Sequence, residues 1–306
     1  MADQTRKRTS MPKAYDITFV GHMCYDEITP FGGEPRIAPG SAVLCGAMVA
    51  ARVGKQVAAV VKMAPKDEEI LQPMKDVGVD TYLIPSAETT FSQVIHESAN
   101  VDERRLILAR SAGLIDIADV PALQTTCAHL AGISDTEFDM PLMAGLKSRG
   151  YSLSVDMQSF VRHVGPTREI EFSDVANKRE IVAMMDKVKL DVVEARILTG
   201  TDDLEKAAII VENWGCPEIV ITQSAGVLAR VKGQTYYEKF SNKSVVGRTG
   251  RGDTTFAAYL SSRLDHAPLE SLKFAAALVS IKMETPGPFQ GTVADVEQRL
   301  REAHSA

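Results

Sequence analysis

Short apolar runs alternate with stretches of helical period along nearly the whole chain, the pattern of a mainly parallel sheet covered by helices. Asp16–Val20 (DITFV) is predicted as the first strand, closed by Gly21. Ser41–Val53 is rich in alanine and small apolar residues and is followed by Gly54, which suits a closely packed helix with a glycine at its end. Gln56–Lys62 returns as a buried strand, and Asp67–Val77 forms a helix before Gly78. Further on, Ala128–Ala131 leads to a helix over Met140–Ser148, ended by Gly150; Ser152–Asp156 is a strand and Lys178–Val188 a helix. Asp191–Glu194 has the character of a strand end. Ile219–Thr222 precedes a hairpin, Val227–Val231 with Thr235–Phe240, turned by Lys232-Gly233. Thr254–Leu264 and Leu269–Met283 are the last long helices, the second apolar at Leu272, Ala276 and Val279.

Two segments interrupt this alternation. Ile28–Pro39 and Phe91–Leu108 have the character of antiparallel strands, the latter with a polar turn at Asn100–Glu103. Lying between core elements, they are expected to form a small β appendage over one face of the sheet. Such a lid would keep water from a site beneath it; a decorated sheet edge is the simpler alternative.

Composition narrows the function classes. With 306 residues, 45% hydrophobic and 24% charged, the chain can build a full core as one large α/β domain with an appendage or as two domains. A net charge of -6 argues against a broad surface for nucleic-acid phosphates. The four cysteines, at 24, 45, 127 and 216, form neither C-x-x-C nor a zinc spacing, as expected of separate reduced thiols in a cytoplasmic protein. No apolar run reaches the ~18 residues a membrane helix needs. The N-terminal residues 1–14 carry Arg6-Lys7-Arg8 without an apolar run behind them, so they are expected to form a solvated basic tail rather than a signal or anchor.

The strongest local motif is Val246-Gly247-Arg248-Thr249-Gly250-Arg251-Gly252-Asp253-Thr254. Two glycines one residue apart let backbone N–H groups converge just before a helix, and converging amides at a helix N-terminus make an anion hole for phosphate. Asp253, at its mouth, is placed to take a proton from an attacking hydroxyl. Taken alone, G-x-G-D is also an ordinary helix cap. The Arg251-Gly252-Asp253 tripeptide is accounted for by this motif and needs no adhesion role. G-x-x-x-x-G-K-[ST] is absent, as is G-x-G-x-x-G after the first strand.

With this motif, the chain resembles the ribokinase-like (PfkB) carbohydrate kinases over nearly its whole length. Gly247–Asp253 matches the family's D-T-T-G-A-G-D segment at Thr249, Gly250, Gly252 and Asp253. The N-terminal G-x-x-x-x-D stands at Gly21–Asp26, the Gly-Gly helix start is similar to Gly40-Ser41, and Arg52-Val53-Gly54 follows as in the family. N-x-x-E is represented by Asp191-Val192-Val193-Glu194 ahead of Leu198-Thr199-Gly200, and Thr222-Gln223-Ser224-Ala225-Gly226 resembles the T-x-G segment with one residue shortened. Val155–Arg162 looks most like the D-x-Q-x-x-x-R stretch of inositol kinases, as does the opening Val20–Asp26.

The resemblance implies a three-layer αβα sandwich with a mainly parallel sheet over residues 15–306 and lid segments near 28–39 and 91–108. It implies an ATP- and Mg²⁺-dependent kinase acting on a hydroxyl of a small cyclic polyol or sugar, myo-inositol foremost, with a homodimer through the lid compatible with it. Asp253 would be the base and Gly250, Arg251 and Gly252 the anion hole. Asp26, Gly40, Ser41, Gln158 and Arg162 would bind the acceptor; for Gln158 and Arg162 a plain polar loop is an equal alternative. Thr222, Ser224, Gly226, Arg248 and Thr249 would bind nucleotide, and Glu194 with Asp191 would organise the metal. Three departures stand out: Asp191 replaces the family's Asn, Arg251 its small Ala, and Gly247-Arg248 its Asp-Thr. The two arginines either neutralise donor phosphates or face solvent. A nucleoside kinase is the rival enzyme, though 6% aromatics and one tryptophan, Trp214, offer little for base stacking. A non-catalytic nucleotide- or polyol-binding regulator is the rival outside enzymology, and it would have no use for Asp253.

Overall fold

The structure is a computed structural model and describes residues 13–98, 100 and 103–304. The basic tail falls almost wholly outside these residues. Strand β1 (Ala14–His22) is longer than Asp16–Val20 at both ends and passes through Met23 alone into β2 (Cys24–Thr29), which pairs with β3 (Arg36–Gly40). Helix α1 (Ala42–Arg52) leads back to β4 (Val57–Met63). The expected helix over Asp67–Val77 is a 3₁₀ segment (Pro65–Leu71) followed by a short α2 (Gln72–Asp76). Pro73 at the second position of α2 cannot donate the N–H a continuous helix would require. The chain continues through β5 (Asp80–Pro85), β6 (Thr90–Ile95), β7 (Arg105–Arg110), β8 (Gln124–Leu130), α3 (Met140–Ser148) and β9 (Ser152–Asp156). A small excursion follows: α4 (Gln158–Val161), β10 (Arg162–Val164) and β11 (Ile170–Phe172). Then come α5 (Lys178–Ala183), β12 (Lys187–Asp191), α6 (Val192–Thr199), α7 (Leu204–Glu212), β13 (Glu218–Thr222), β14 (Gly226–Val231), β15 (Gln234–Lys239), α8 (Arg251–Arg263), α9 (Pro268–Met283) and α10 (Val293–His304).

Nine strands form the main sheet in the order β15-β14-β13-β12-β9-β8-β1-β4-β5, parallel from β13 to β5, with β14 and β15 antiparallel at one edge. Strands buried on both faces need apolar residues at successive positions. In β1, Ile17 and Phe19 enter one core with α1, α8 and α9, while Val20 enters the opposite core with α3, α5, α6 and α7. The architecture is therefore a three-layer αβα sandwich. The predicted lid is a separate four-stranded sheet, β3-β2-β6-β7, whose antiparallel pairs β2–β3 and β6–β7 are the two interrupting segments. Its first strand begins at Cys24, earlier than Ile28, and so carries Asp26; part of the predicted Asn100–Glu103 turn lies outside the described residues.

Three expectations need correction. The helix over Lys178–Val188 stops at Ala183, because Lys187–Lys189 pair with Ser154–Asp156 of β9 and Val188–Asp191 with β13. Sheet pairing on both sides outweighs a local helical pattern. Asp191 does end a strand, but Glu194 sits in the first turn of α6. Helix α8 starts at Arg251, three residues before Thr254, so Asp253 lies inside its first turn.

The core also stores one titration. His129 of β8 is buried between the rings of Phe19 (5.6 Å) and Phe256 (5.1 Å), with Nδ1 3.1 Å from Ser154 Oγ. Burial, assisted by the nearby Lys189, lowers its pKa to about 3. The unfolded chain therefore takes up a proton at this imidazole near pH 6.5 that the native protein refuses. Stability should be fully present above that pH and fall below it, by up to ~1.4 kcal/mol per pH unit, until about pH 3. Urea unfolding from pH 7 to 5 should give a flatter acid slope for His129→Leu than for the parent. Identical slopes would assign the acid sensitivity elsewhere.

Candidate active site

The C-terminal ends of β1, β9, β12 and β13 open on one edge of the sheet, beneath strands that extend from β1 into the lid. Helix α8 points its N-terminus at this crevice. Gly250 caps it with φ 77°, a left-handed backbone that a side chain would strain. The N–H of Arg251 donates to Arg248 O, while those of Gly252 and Asp253 belong to the first turn, where a helix lacks internal acceptors. Lys282, a fully buried residue of α9, donates to the carbonyls of Gly247 and Thr249 and so ties down the loop leading into the helix. The predicted anion-hole residues are thus brought together, with Asp253 half-buried on their rim.

Across the crevice stands Asp26 of β2. Its Oδ1 accepts hydrogen bonds from Ser92 Oγ (2.6 Å) and Cys24 Sγ (3.2 Å). Burial raises its pKa, the two donors work against this, and the charge on Asp253 adds to the rise. Gly40 lies against the second oxygen: a Cβ there would stand 1.9 Å from Asp26 Oδ2. Ser41 does a different job. Its Oγ caps α1 by accepting from Leu44 N (3.0 Å), and its φ of 143° is one that glycine adopts readily, in keeping with a position similar to the second glycine of Gly-Gly. Gln158 is buried, and its Nε2 donates to Gly132 O (2.7 Å). Arg162 Nη2 lies 3.9 Å from Glu194 Oε1, and its charge is felt by both Asp26 and Glu194. It therefore stands between the predicted acceptor and metal groups.

Asp191 and Glu194 form a reciprocal cap at the start of α6. Asp191 Oδ1 accepts from the N–H groups of Val193 and Glu194, and Glu194 Oε2 accepts from Asp191 N (2.7 Å). Glu194 Oε1 is left buried and without a hydrogen-bond partner. Burial and the charge of Asp191 push the Glu194 pKa up to about 8, with Lys189 and Arg162 opposing. A buried carboxylate oxygen with no hydrogen bond, only the more distant Arg162 beside it, fits a hydrated cation. Among the described residues no cluster of three or more acidic, histidine or cysteine side chains could enclose one. Magnesium is commonly held by one or two carboxylates, water and substrate phosphates, and this geometry fits that mode.

Of the predicted nucleotide residues, Thr222 ends β13 buried beside the anion hole, its Oγ1 3.7 Å from where a Cβ on Gly252 would be. Gly226 opens β14 under the ring of Tyr237, whose hydroxyl accepts from Gln223 Nε2 (3.0 Å). Ser224 and Thr249 are exposed. Sequence reasoning missed three charged residues here: Lys189, Lys282 and Arg104. Arg104 approaches from the lid, where burial and the charges of Arg162, Arg248 and Arg251 lower its pKa to about 10 against the pull of Asp191. The one signal for Lys189 was a lysine between Val188 and Leu190, the two apolar residues of β12.

This fold and site define a class: ribokinase-like phosphotransferases. The family model described as pfkB family carbohydrate kinase matches residues 16–292, and the chain belongs to that family. It is accordingly a phosphotransferase with a hydroxyl group as acceptor. Among solved structures, a sulfate complex of a pyrophosphate-dependent kinase in the ribokinase family is 30% identical, with 92% of this chain and 99% of that one covered at a TM-score of 0.86. A pyrophosphate-dependent kinase of the same family, complexed with a pyrophosphate analog and myo-inositol, is 29% identical, with 92% and 99% covered and a TM-score of 0.84. The cytidine kinase of Thermococcus kodakarensis is 28% identical over 265 residues, 83% of this chain and 91% of that protein. Ribokinase of Arabidopsis thaliana, complexed with ribose and ATP, is 16% identical with 94% and 99% covered, and its TM-score of 0.76 marks a shared fold.

Proposed function

We propose that this protein phosphorylates one hydroxyl of a cyclic polyol such as myo-inositol, drawing the phosphoryl group from pyrophosphate in place of the ATP expected from sequence. The observation that carries the donor assignment is Arg104, a largely buried guanidinium on which the charges of Arg162, Arg248 and Arg251 all act. A compact polyanion would suit such a gathering of positive charge, and a nucleoside would add nothing to that match. Two similar solved structures, described above as pyrophosphate-dependent kinases, point the same way.

In the reaction, Asp26 and Gln158 orient the ring and hold one hydroxyl toward Asp253. Asp253 takes the hydroxyl proton as the oxygen attacks one phosphorus of pyrophosphate, the bridging P–O bond breaks, and inorganic phosphate leaves. The N–H groups of Gly252 and Asp253 and the arginines stabilise the charge on the phosphoryl oxygens. Glu194, with Asp191, would hold hydrated Mg²⁺, which would supply positive charge to offset that of the donor phosphates. The lid limits entry of water. All four cysteines are free thiols, which supports a cytoplasmic setting; among the described residues no helix is long and apolar enough to cross a membrane. Phe31, beside β3, and Ile37, on that lid edge strand, are 60% and 58% exposed and would suit a homodimer through the lid.

A donor-by-acceptor panel tests this reading. Pyrophosphate and ATP, each with Mg²⁺, are crossed with myo-inositol, ribose, fructose and cytidine, and the phosphorylated acceptor is measured. Pyrophosphate with myo-inositol should give the highest kcat/KM. Faster turnover with ATP would overturn the donor, and faster turnover of cytidine the acceptor.

A further inference from the structure

We infer that Lys189 is a positioning residue of phosphoryl transfer, a fixed buried cation that supports the anion hole from behind. This rests on Gly250–Asp253 being the site of transfer. Lys189 lies in β12, flanked by β9 and β13, with its side chain 3% exposed. Its Nζ is 2.9 Å from Asp156 Oδ2, 3.1 Å from Asp156 Oδ1 and 3.7 Å from Glu194 Oε2. The same ammonium reaches the underside of the anion hole: a Cβ on Gly252 would stand 3.1 Å from Nζ and 3.2 Å from Cε.

An ion pair inside a protein is a weak device for stability, and an apolar pair of similar volume often serves as well. A lysine present only to neutralise Asp156 would have no reason to contact the central glycine of the phosphate-binding turn. Here it does both. Both oxygens of Asp156 hold the ammonium in place. A positive charge therefore sits against the first turn of α8, where it adds to the helix N-terminus in stabilising charge that develops on the transferred phosphoryl group. The side chain also fills the space beside Gly252 that a Cβ would need, which keeps that peptide close to the ammonium. Lys189 touches no reacting atom and acts through Gly252 and the surrounding field.

The test is a double-mutant cycle of Lys189→Met, Asp156→Asn and the double variant, following kcat, both KM values and Tm with the best donor–acceptor pair of the panel. Lys189→Met should lower kcat about 10²-fold, similar to loss of one oxyanion-hole donor, with acceptor KM changed less than about threefold. It should also lower Tm, by leaving Asp156 unpaired. The double variant should regain Tm without regaining kcat, while Asp156→Asn alone should retain most of kcat. Recovery of kcat in the double variant would reduce Lys189 to a counter-ion for Asp156, and so would an Asp156→Asn loss equal to that of Lys189→Met. Near-parental kcat in Lys189→Met overturns the inference outright. A readout free of turnover is the thermal stabilisation by inorganic pyrophosphate, which Lys189→Met should diminish. Asp253→Asn, assayed alongside, separates the two failures: if it is inactive while Lys189 is dispensable, the site reading stands and this inference falls.

Discussion

Asp253→Asn is expected to lower kcat by about 10²–10⁴-fold, the usual contribution of a positioned general base, while the fold and donor affinity persist. The side chain occupies the third position of α8 and is half-buried at the mouth of the anion hole, with Asp26 facing it across the crevice. Asparagine keeps the volume and leaves the first-turn N–H groups in place, so donor phosphates lose no direct contact. What disappears is the capacity to take up the hydroxyl proton as the new P–O bond forms. Replacing a carboxylate by an amide near a helix N-terminus removes a favourable charge–dipole interaction of about 0.3–1 kcal/mol, too small to unfold the protein. The loss should therefore fall on kcat, with donor KM changed less than about threefold. A variant that retained more than a tenth of parental kcat would remove Asp253 from the role of base.

The second large effect is expected at Asp26. Ser92 and Cys24 both donate to Oδ1, which orients the carboxylate and leaves Oδ2 beside Gly40. A ring with several equivalent hydroxyls needs such a fixed acceptor to present one of them to Asp253. A hydrogen bond to a charged group contributes roughly 1.5–3 kcal/mol. Losing two of them in Asp26→Ala should lower acceptor kcat/KM by about 10²–10⁴-fold, taking tenfold per 1.4 kcal/mol. Because burial and Asp253 already disfavour the charge on Asp26, its removal should cost little stability. Donor KM measured at saturating acceptor separates this role from a general disturbance. If donor KM rises as much as acceptor KM, Asp26 belongs to the donor side and the lid assignment of the polyol is wrong.

How much of this was legible depends on whether the signal is local. The βα alternation could be read because strands buried on both faces need unbroken apolar runs, as in Val57–Val61, and helices between them need one apolar face. The lid could be read because antiparallel segments such as Phe91–Leu108 break that rhythm. Gly250, Gly252 and Asp253 stood out because a tight turn, a helix start and a carboxylate are adjacent in the chain. Asp191-x-x-Glu194 was legible as a motif, but its reciprocal capping emerged only with the helix start.

Tertiary structure decided the rest. Lys178–Val188 carries a helical pattern, yet its last residues became strand because two neighbouring strands claimed their backbone hydrogen bonds. Lys189, Asp156 and Glu194 come from three separate elements, and only the register of β12 against β9 sets Lys189 directly opposite Asp156. Lys282 is the clearest case: in sequence it is a lysine near the end of an apolar helix, and in the fold its ammonium holds the loop that leads into α8 by two carbonyls. Periodicity reports which face of an element is buried. Which charges meet at the end of a sheet depends on strand order and register, which no local pattern encodes.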